Sequence, residues 1–219
     1  MGAWVPVAVV GTGAIVIVFG VIVLNSMVGG GSDGEVDIPE RTVATQGRTL
    51  GSEDARITIE EYSDFRCSFC ARAAESLLPK IEEQYVADGR ARFVFRPVAM
   101  LDKPGSPPES LWAAEAAECA NGQGRFWEYH DKLFENQRGG FPIDKLKRFA
   151  EELGLDTQAF NQCIDSHKHR ALIEVETQEA QDRGVDSTPT FFVEGQTVAG
   201  AVPYEQFQTV IEAELRKNP

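Results

Sequence analysis

The sequence is poor in cysteine and in positive charge, and both shortages narrow the classes of protein it can belong to. Four cysteines in 219 residues are too few for a small domain built on disulfides. Against 21 lysines and arginines stand 34 aspartates and glutamates, which gives a formal net charge of −13. Such an acidic chain disfavours nucleic acid or an anionic membrane surface as its partner. The charge does not by itself indicate a substrate.

Charged residues are absent from the first 28 positions, and the segment from Trp4 to Val28 is mostly apolar. A helix of this length, at about 1.5 Å per residue, exceeds the roughly 30 Å hydrocarbon core of a bilayer. We therefore predict a single transmembrane anchor over residues 1–28. A cleaved signal peptide is the alternative, although the segment has no basic residue before its apolar core and no clear Ala-x-Ala site.

A glycine-rich stretch follows the anchor, and no strong periodicity appears before Arg48. We predict a flexible linker at residues 29–48 and one folded domain at residues 49–219. The residues after the anchor are acidic, and cysteines able to form disulfides fit an oxidising compartment. The prediction is a single-pass protein of the cell membrane with its C-terminal domain outside the cytoplasm.

The hydrophobic pattern of residues 49–219 predicts an α/β domain. Runs typical of strands occur at residues 57–62, 91–95, 190–193 and 197–199. Helical spacing of apolar residues occurs at residues 70–85, 110–183 and 204–215. This order predicts a thioredoxin-like core with a helical insertion at about residues 105–184. Pro79 should split the first helix near Leu78, and Ser106 should cap the first insertion helix.

Cys67 and Cys70 are separated by two residues and follow the first predicted strand. Cys67 should therefore lie at a helix N-terminus, where unpaired N–H groups and the helix dipole favour a thiolate. A thiolate is a nucleophile, and the spacing lets Cys70 close a disulfide with it. Half of a zinc site is the alternative, but no second CxxC or CxxH supplies the other ligands. We predict a redox pair, with no metal and no other cofactor.

Three stretches in this order resemble the DsbA-like thiol–disulfide oxidoreductases, especially their membrane-tethered Gram-positive and actinobacterial type. The stretches are EYSDFRCSFC at 61–70, QGRFWEYH at 123–130 and STPTFFV at 187–193. The resemblance covers roughly residues 50–215. It implies that Cys67 is the attacking residue and that Cys70 resolves the mixed disulfide formed with a substrate.

The resemblance also implies a substrate-binding surface beside the cysteine pair. Pro189 would follow a cis peptide bond there, which leaves the backbone of Thr188 free to pair with a bound peptide. Phe69 would contribute an apolar contact to the same surface.

The same resemblance implies that Glu61 lies beneath the cysteine pair and accepts the proton of Cys70. A carboxyl group in an apolar strand has a raised pKa, which suits this role. Alternation along the strand puts Glu60 and Glu61 on opposite faces, so the residues alone leave open which of them faces inward.

Cys119 and Cys163 fall on apolar faces of two predicted insertion helices. We predict a structural disulfide between them, which would close a loop of roughly 44 residues and contribute ~4 kcal/mol. Two buried free thiols are the alternative, because cysteine also packs as a small hydrophobic residue. The predicted extracytoplasmic location favours the disulfide.

These assignments predict an oxidase that donates the Cys67–Cys70 disulfide to unfolded or newly translocated proteins. The resemblance implies reoxidation by a quinone-linked membrane enzyme, similar to DsbB or to a vitamin K epoxide reductase. An isomerase or reductase that uses the same pair is an alternative, since Ser68 and Phe69 do not determine the direction of electron flow. A non-enzymatic holdase is another. No dimerisation module is visible, so we expect a monomer.

Overall fold

The fold is built around a six-stranded mixed sheet. The computed structural model describes residues 41–219. Its strands are β1 (Thr45–Gln46), β2 (Thr49–Leu50), β3 (Ile57–Ser63), β4 (Ala91–Pro97), β5 (Thr190–Val193) and β6 (Gln196–Ala199). They lie in the order β1-β2-β4-β3-β5-β6. The β3–β4 pair is parallel, and all other neighbours are antiparallel.

Helices occupy most of the remaining described chain. They are α1 (Ser68–Ser76), α2 (Leu78–Ile81), α3 (Glu109–Asn121), α4 (Phe126–Glu135), α5 (Ile143–Glu152), α6 (Thr157–Asp165), α7 (Arg170–Asp182) and α8 (Tyr204–Lys217). A π-helical turn, Glu82–Val86, continues α2. Helices α3 to α7 form one block between β4 and β5. The predicted α/β thioredoxin-like fold with a helical insertion is therefore confirmed.

The parallel pair of central strands determines where the cysteines lie. β3 is hydrogen-bonded on both sides, by β4 and β5, and it ends at Ser63. The chain then turns and enters α1 at Ser68. Inward-facing Phe93 and Phe95 of β4 pack against aromatic side chains of α4 such as Trp127. This aromatic core joins the sheet to the helical insertion directly beside the turn that carries the cysteines.

Pro79 divides the first helix as predicted. Helix α1 ends at Ser76, and α2 begins at Leu78 with the proline in its first turn. A proline is tolerated there because the N–H group it lacks has no partner within the helix.

The boundary predicted for the linker, at residue 48, is wrong. β1 and β2 form a hairpin whose second strand pairs with β4. Arg41 forms ion pairs with Glu82 and Asp131, so these residues belong to the folded domain. Strands of two residues are too short to give a readable hydrophobic period, which explains the error.

The predicted cap of α3 is also wrong. Ser106 makes no capping hydrogen bond, and Asp102 takes its place. Its carboxylate accepts hydrogen bonds from the N–H groups of Ser110 and Leu111, both at 2.9 Å. The carboxylate pairs with N–H groups that have no acceptor within the helix. Its negative charge also interacts favourably with the positive end of the α3 dipole.

The predicted anchor at residues 1–28, and the linker up to residue 40, lie outside the described residues. Within residues 41–219, no helix combines the length and the apolar character that crossing a membrane requires.

Candidate active site

Cys67 is the N-cap residue of α1, as the spacing predicted. Its backbone is extended, with φ −77° and ψ 120°, and its carbonyl oxygen accepts from the N–H of Ala71 at 3.1 Å. Cys67 keeps 7% of its surface exposed, whereas Cys70, one turn along the helix, is fully buried. Both cysteines are free thiols in this structure. Only the first sulfur of the pair is placed for contact with another protein.

Hydrogen bonds to the Cys67 sulfur favour its thiolate. The hydrogen bond from the Cys70 thiol makes the largest contribution, and burial opposes it. The Thr188 side chain and the backbone N–H groups of Cys70 and Phe69 add smaller contributions, so that the pKa of Cys67 falls to about 5. Burial, together with the neighbouring Cys67 and the carboxyl group of Glu61, raises the pKa of Cys70 well above its usual range. At neutral pH the pair therefore consists of one thiolate and one thiol.

Glu61, rather than Glu60, faces the cysteine pair. Glu61 is 1% exposed, while Glu60 lies on the opposite face of the sheet with Arg96 at 2.9 Å and Arg183 at 2.6 Å. Burial raises the pKa of Glu61 to about 8. One of its carboxylate oxygens has no hydrogen-bond partner among the described residues. A buried carboxyl group in this state can hold or release a proton near neutral pH.

Ser63 is a buried residue of the site that the sequence analysis missed. It lies two residues after Glu61 on the same face of β3, and it is fully buried. Its hydroxyl interacts with both Glu61 and Cys70, lowering the pKa of each. Neither contact has strict hydrogen-bond geometry. The alternation that points Glu61 inward was the signal that could have identified this residue.

Asp64 is the second residue that was missed. Its carboxylate accepts hydrogen bonds from the N–H groups of Arg66 at 2.8 Å, Met100 at 2.9 Å and Leu101 at 3.0 Å. Burial raises the pKa of Asp64 to about 6. The side chain thus ties the turn before Cys67 to the segment after β4. An acidic residue directly after a buried strand was its only sequence signal.

Thr188 and Pro189 lie beside the Cys67 sulfur. Their peptide bond is cis, and the carbonyl oxygen of Thr188 is 3.2 Å from Sγ of Cys67. A protonated Cys67 can donate to this oxygen, but a thiolate cannot. Phe69 is 52% exposed, and the guanidinium of Arg72 lies 4.9 Å from the centre of its ring. The backbone of Thr188 therefore lies at the Cys67 sulfur, and Phe69 is exposed in the first turn of the helix that Cys67 caps.

The other two cysteines form a separate disulfide. Cys119 of α3 is bonded to Cys163 of α6, with 5.9 Å between their Cα atoms. A ring nitrogen of His169 lies within 4.8 Å of the sulfurs. Both sulfurs are already bonded to each other, so neither is available as the thiolate ligand that zinc requires.

Comparison with known proteins places this arrangement in a family. Residues 43–213 match the family model described as Thioredoxin. The Na(+)/H(+) antiporter NhaA 3 of Salinispora tropica is 33% identical over 182 residues, which is 83% of this chain and 27% of the antiporter. The chain thus spans about a quarter of the length of the antiporters it matches. Disulfide bond formation protein D of Bacillus subtilis is 25% identical over 175 residues, 76% of each protein.

Solved structures share the fold. Oxidised BdbD from Bacillus subtilis superposes with a TM-score of 0.68 at 24% identity, covering 78% of this chain and 93% of that chain. DsbA from Chlamydia trachomatis has a TM-score of 0.67 at 22% identity, covering 81% and 95%. Identities this low show the fold alone, whereas the family-model match extends through most of the described residues. The match over residues 43–213 shows that the chain, with its CxxC pair at the start of α1, belongs to the thioredoxin family.

Proposed function

We propose that this chain is an extracytoplasmic oxidase that donates its Cys67–Cys70 disulfide to protein thiols. The observation that carries the proposal is the difference in acidity between the two thiols. The pKa of Cys67 is lowered to about 5, and the pKa of Cys70 is raised. A stabilised thiolate favours the reduced form of the pair. The disulfide is then a strong electron acceptor, as it is in oxidases of this chemistry.

The exchange proceeds in two steps. A substrate thiolate attacks Sγ of Cys67 in the disulfide, the Cys67–Cys70 bond breaks, and Cys70 leaves as a thiolate that takes up a proton. A second substrate thiolate then attacks the substrate sulfur of the mixed disulfide and releases Cys67 as a thiolate. The substrate loses two electrons and gains a disulfide, and the pair becomes a dithiol. The low pKa of Cys67 makes it the better leaving group in the second step.

Glu61 supplies the proton that Cys70 needs when it leaves. Because the pKa of Glu61 is raised to about 8, the carboxyl group is mostly protonated at neutral pH. It can donate to the Cys70 thiolate during substrate oxidation and accept the proton again during reoxidation. Ser63 lies beside both groups and favours the charged form of each.

The location and the partners form a second part of the proposal. Residues 1–28 would hold the domain at the outer face of the cell membrane, and newly translocated proteins would be its substrates. A quinone-linked membrane oxidase, similar to DsbB or to a vitamin K epoxide reductase, would restore the disulfide. Support comes from the charge-free segment, from the Cys119–Cys163 disulfide and from the similarity to disulfide bond formation protein D.

The reduction potential tests the direction of electron flow. Equilibration with glutathione buffers, followed by alkylation of free thiols, should give a potential closer to the −120 mV of strong oxidases than to the ~−270 mV of thioredoxin. A value near that of thioredoxin would contradict the oxidase and favour a reductase. The same measurement on a Cys119→Ala/Cys163→Ala variant is the control, because that pair should not affect the result.

Trapping tests the substrates. In a Cys70→Ala variant the Cys67 thiolate can still attack a substrate disulfide and form a mixed disulfide, but Cys70 is no longer there to attack Cys67 and release the substrate. The complexes therefore persist longer, and the attached proteins can be purified and identified by mass spectrometry. Cysteine-containing exported proteins are the expected result. A set of cytoplasmic proteins would contradict the proposed location. The holdase alternative predicts that Cys67→Ala keeps its function in cells, whereas the oxidase predicts a complete loss.

A further inference from the structure

The loop between α4 and α5, residues 136–142, reaches from the helical insertion to the cysteine pair. The side-chain amide of Gln137 donates hydrogen bonds to the carbonyl oxygen of Phe65 at 2.7 Å and to that of Cys67 at 2.9 Å. An amide nitrogen carries two hydrogens, and both are therefore used on the segment that enters α1. Gln137 holds the backbone on either side of Arg66.

Lys145 of α5 in turn holds the loop that carries Gln137. Its ammonium group donates to the carbonyl oxygens of Asn136 at 2.6 Å, Arg138 at 2.9 Å and Gly140 at 2.9 Å. An ammonium group has three donors, so each one has a backbone acceptor here. Two of these acceptors flank Gln137 directly. The lysine thus fixes the backbone position from which the glutamine reaches the cysteine turn.

The same loop packs closely against the start of α3. Gly140 has φ +70°, and a Cβ atom at this position would collide with the carboxylate of Glu109. That carboxylate also lies 3.4 Å from Nε of Arg66, the residue before Cys67. Loop, helix and cysteine turn are therefore in contact at two points, which limits how far Gln137 can move.

These contacts affect the sulfur through the backbone. A carbonyl oxygen carries partial negative charge, which disfavours a nearby thiolate, and a donor placed on that oxygen reduces the effect. A fixed turn also keeps the N–H groups of Phe69 and Cys70 directed at the Cys67 sulfur. We infer that Gln137 and Lys145 are positioning residues that stabilise the Cys67 thiolate from the helical insertion. The inference rests on the proposed function only for its biological consequence, since the thiolate itself can be measured.

Titration of the reduced protein, followed by the ultraviolet absorbance of the thiolate, tests Gln137. In Gln137→Leu the amide donors are lost at similar volume, and we expect the pKa of Cys67 to rise by about one unit. Gln137→Glu should raise it further, because a carboxylate cannot donate to the two carbonyl oxygens and adds negative charge. An unchanged pKa in a folded Gln137→Leu protein overturns the inference.

The role of Lys145 is tested with Lys145→Met, and Lys147→Met is the matched control. Lys147 lies two residues further along α5 and pairs with Asp165 at 2.7 Å instead of holding the loop. We expect a rise in the pKa of Cys67 of about half a unit in Lys145→Met and none in Lys147→Met. Equal shifts in both variants would indicate a general charge effect and overturn the role of Lys145.

A folding defect does not prevent the test. If Gln137→Leu does not fold, Gln137→Asn keeps the amide but shortens its reach, and its pKa shift is measured instead. No shift in that variant also overturns the inference. The thiolate titration compares variants with the wild-type protein and needs neither a particular value of the reduction potential nor a trapped substrate. A wild-type potential near that of thioredoxin would therefore contradict the oxidase without deciding the roles of Gln137 and Lys145.

Discussion

The two cysteine pairs of this chain lie at opposite ends of their helices. Cys67 precedes α1 and receives hydrogen bonds from N–H groups of its first turn. Cys119 and Cys163 both lie in the last turn of a helix, α3 and α6, and they are bonded to each other across 44 residues. The helix dipole favours a thiolate at the N-terminus and disfavours one at the C-terminus.

This difference explains why the same functional group can serve two purposes in one domain. A disulfide exchanges readily when one of its sulfurs leaves as a stable thiolate that a partner can reach. Cys67 satisfies both conditions. A sulfur in the last turn of a helix is a poorer leaving group, so the second disulfide should persist while the first turns over.

Replacing the nucleophile should have the largest effect. In Cys67→Ala we expect oxidation of a reduced, unfolded substrate to fall to the uncatalysed rate, because Cys70 is fully buried and the sulfurs of Cys119 and Cys163 are bonded to each other. The assay is the recovery of activity of a disulfide-containing enzyme. Residual catalysis that disappears only when Cys119 and Cys163 are also replaced would show that both pairs exchange, and the distinction would be wrong.

Removing the second disulfide should instead affect stability. We expect Cys119→Ala/Cys163→Ala to lower the free energy of unfolding by ~4 kcal/mol in a denaturant titration, because a long loop is no longer closed in the unfolded state. The pKa of Cys67 and the reduction potential of its pair should stay the same. A shift in either quantity would mean that the two pairs are coupled through the insertion.

Features that depend on local spacing could be predicted from the sequence. Cys67 at the start of α1, the division of the first helix at Pro79, and the helical insertion all follow from periodicity and from neighbouring residues. Here the physical cause lies within a few residues of its effect, which is why one sequence was sufficient.

Features that depend on distant contacts could not be predicted. Gln137 reaches carbonyl oxygens 70 and 72 residues away, and Asp64 binds N–H groups 36 and 37 residues away. Asp102 replaced Ser106 as the cap of α3 because the turn brings a carboxylate back to the helix start. Each of these contacts requires the tertiary fold to exist first, and a polar residue in a loop does not indicate its partner.

The next largest effect should come from the buried acid beneath the exchanging pair. In Glu61→Gln we expect Cys70 to resolve a mixed disulfide with glutathione about 100-fold more slowly above pH 8. Because the pKa of Glu61 is raised to about 8, its carboxylate form appears as pH rises through that value, so the wild-type rate should increase there. The variant should lack this step. A stopped-flow pH profile that keeps the step in Glu61→Gln would assign the proton transfer to another group.

The smallest expected effect is a change in the pKa of Cys67. It distinguishes the contribution of the α1 N-terminus to this pKa from that of the neighbouring Cys70 thiol. In Cys70→Ala the largest contribution to the low pKa of Cys67 is lost, but the Thr188 side chain and the N–H groups of α1 remain. The pKa should therefore rise above about 5 and stay below the ~8.5 of a free thiol. The matched thiol is Cys163 in Cys119→Ala, which lies in the last turn of α6 and should have a pKa above ~8.5. Ultraviolet titration measures both. If the two single thiols titrate together, helix position does not distinguish the pairs, and the Cys70 hydrogen bond alone makes Cys67 reactive.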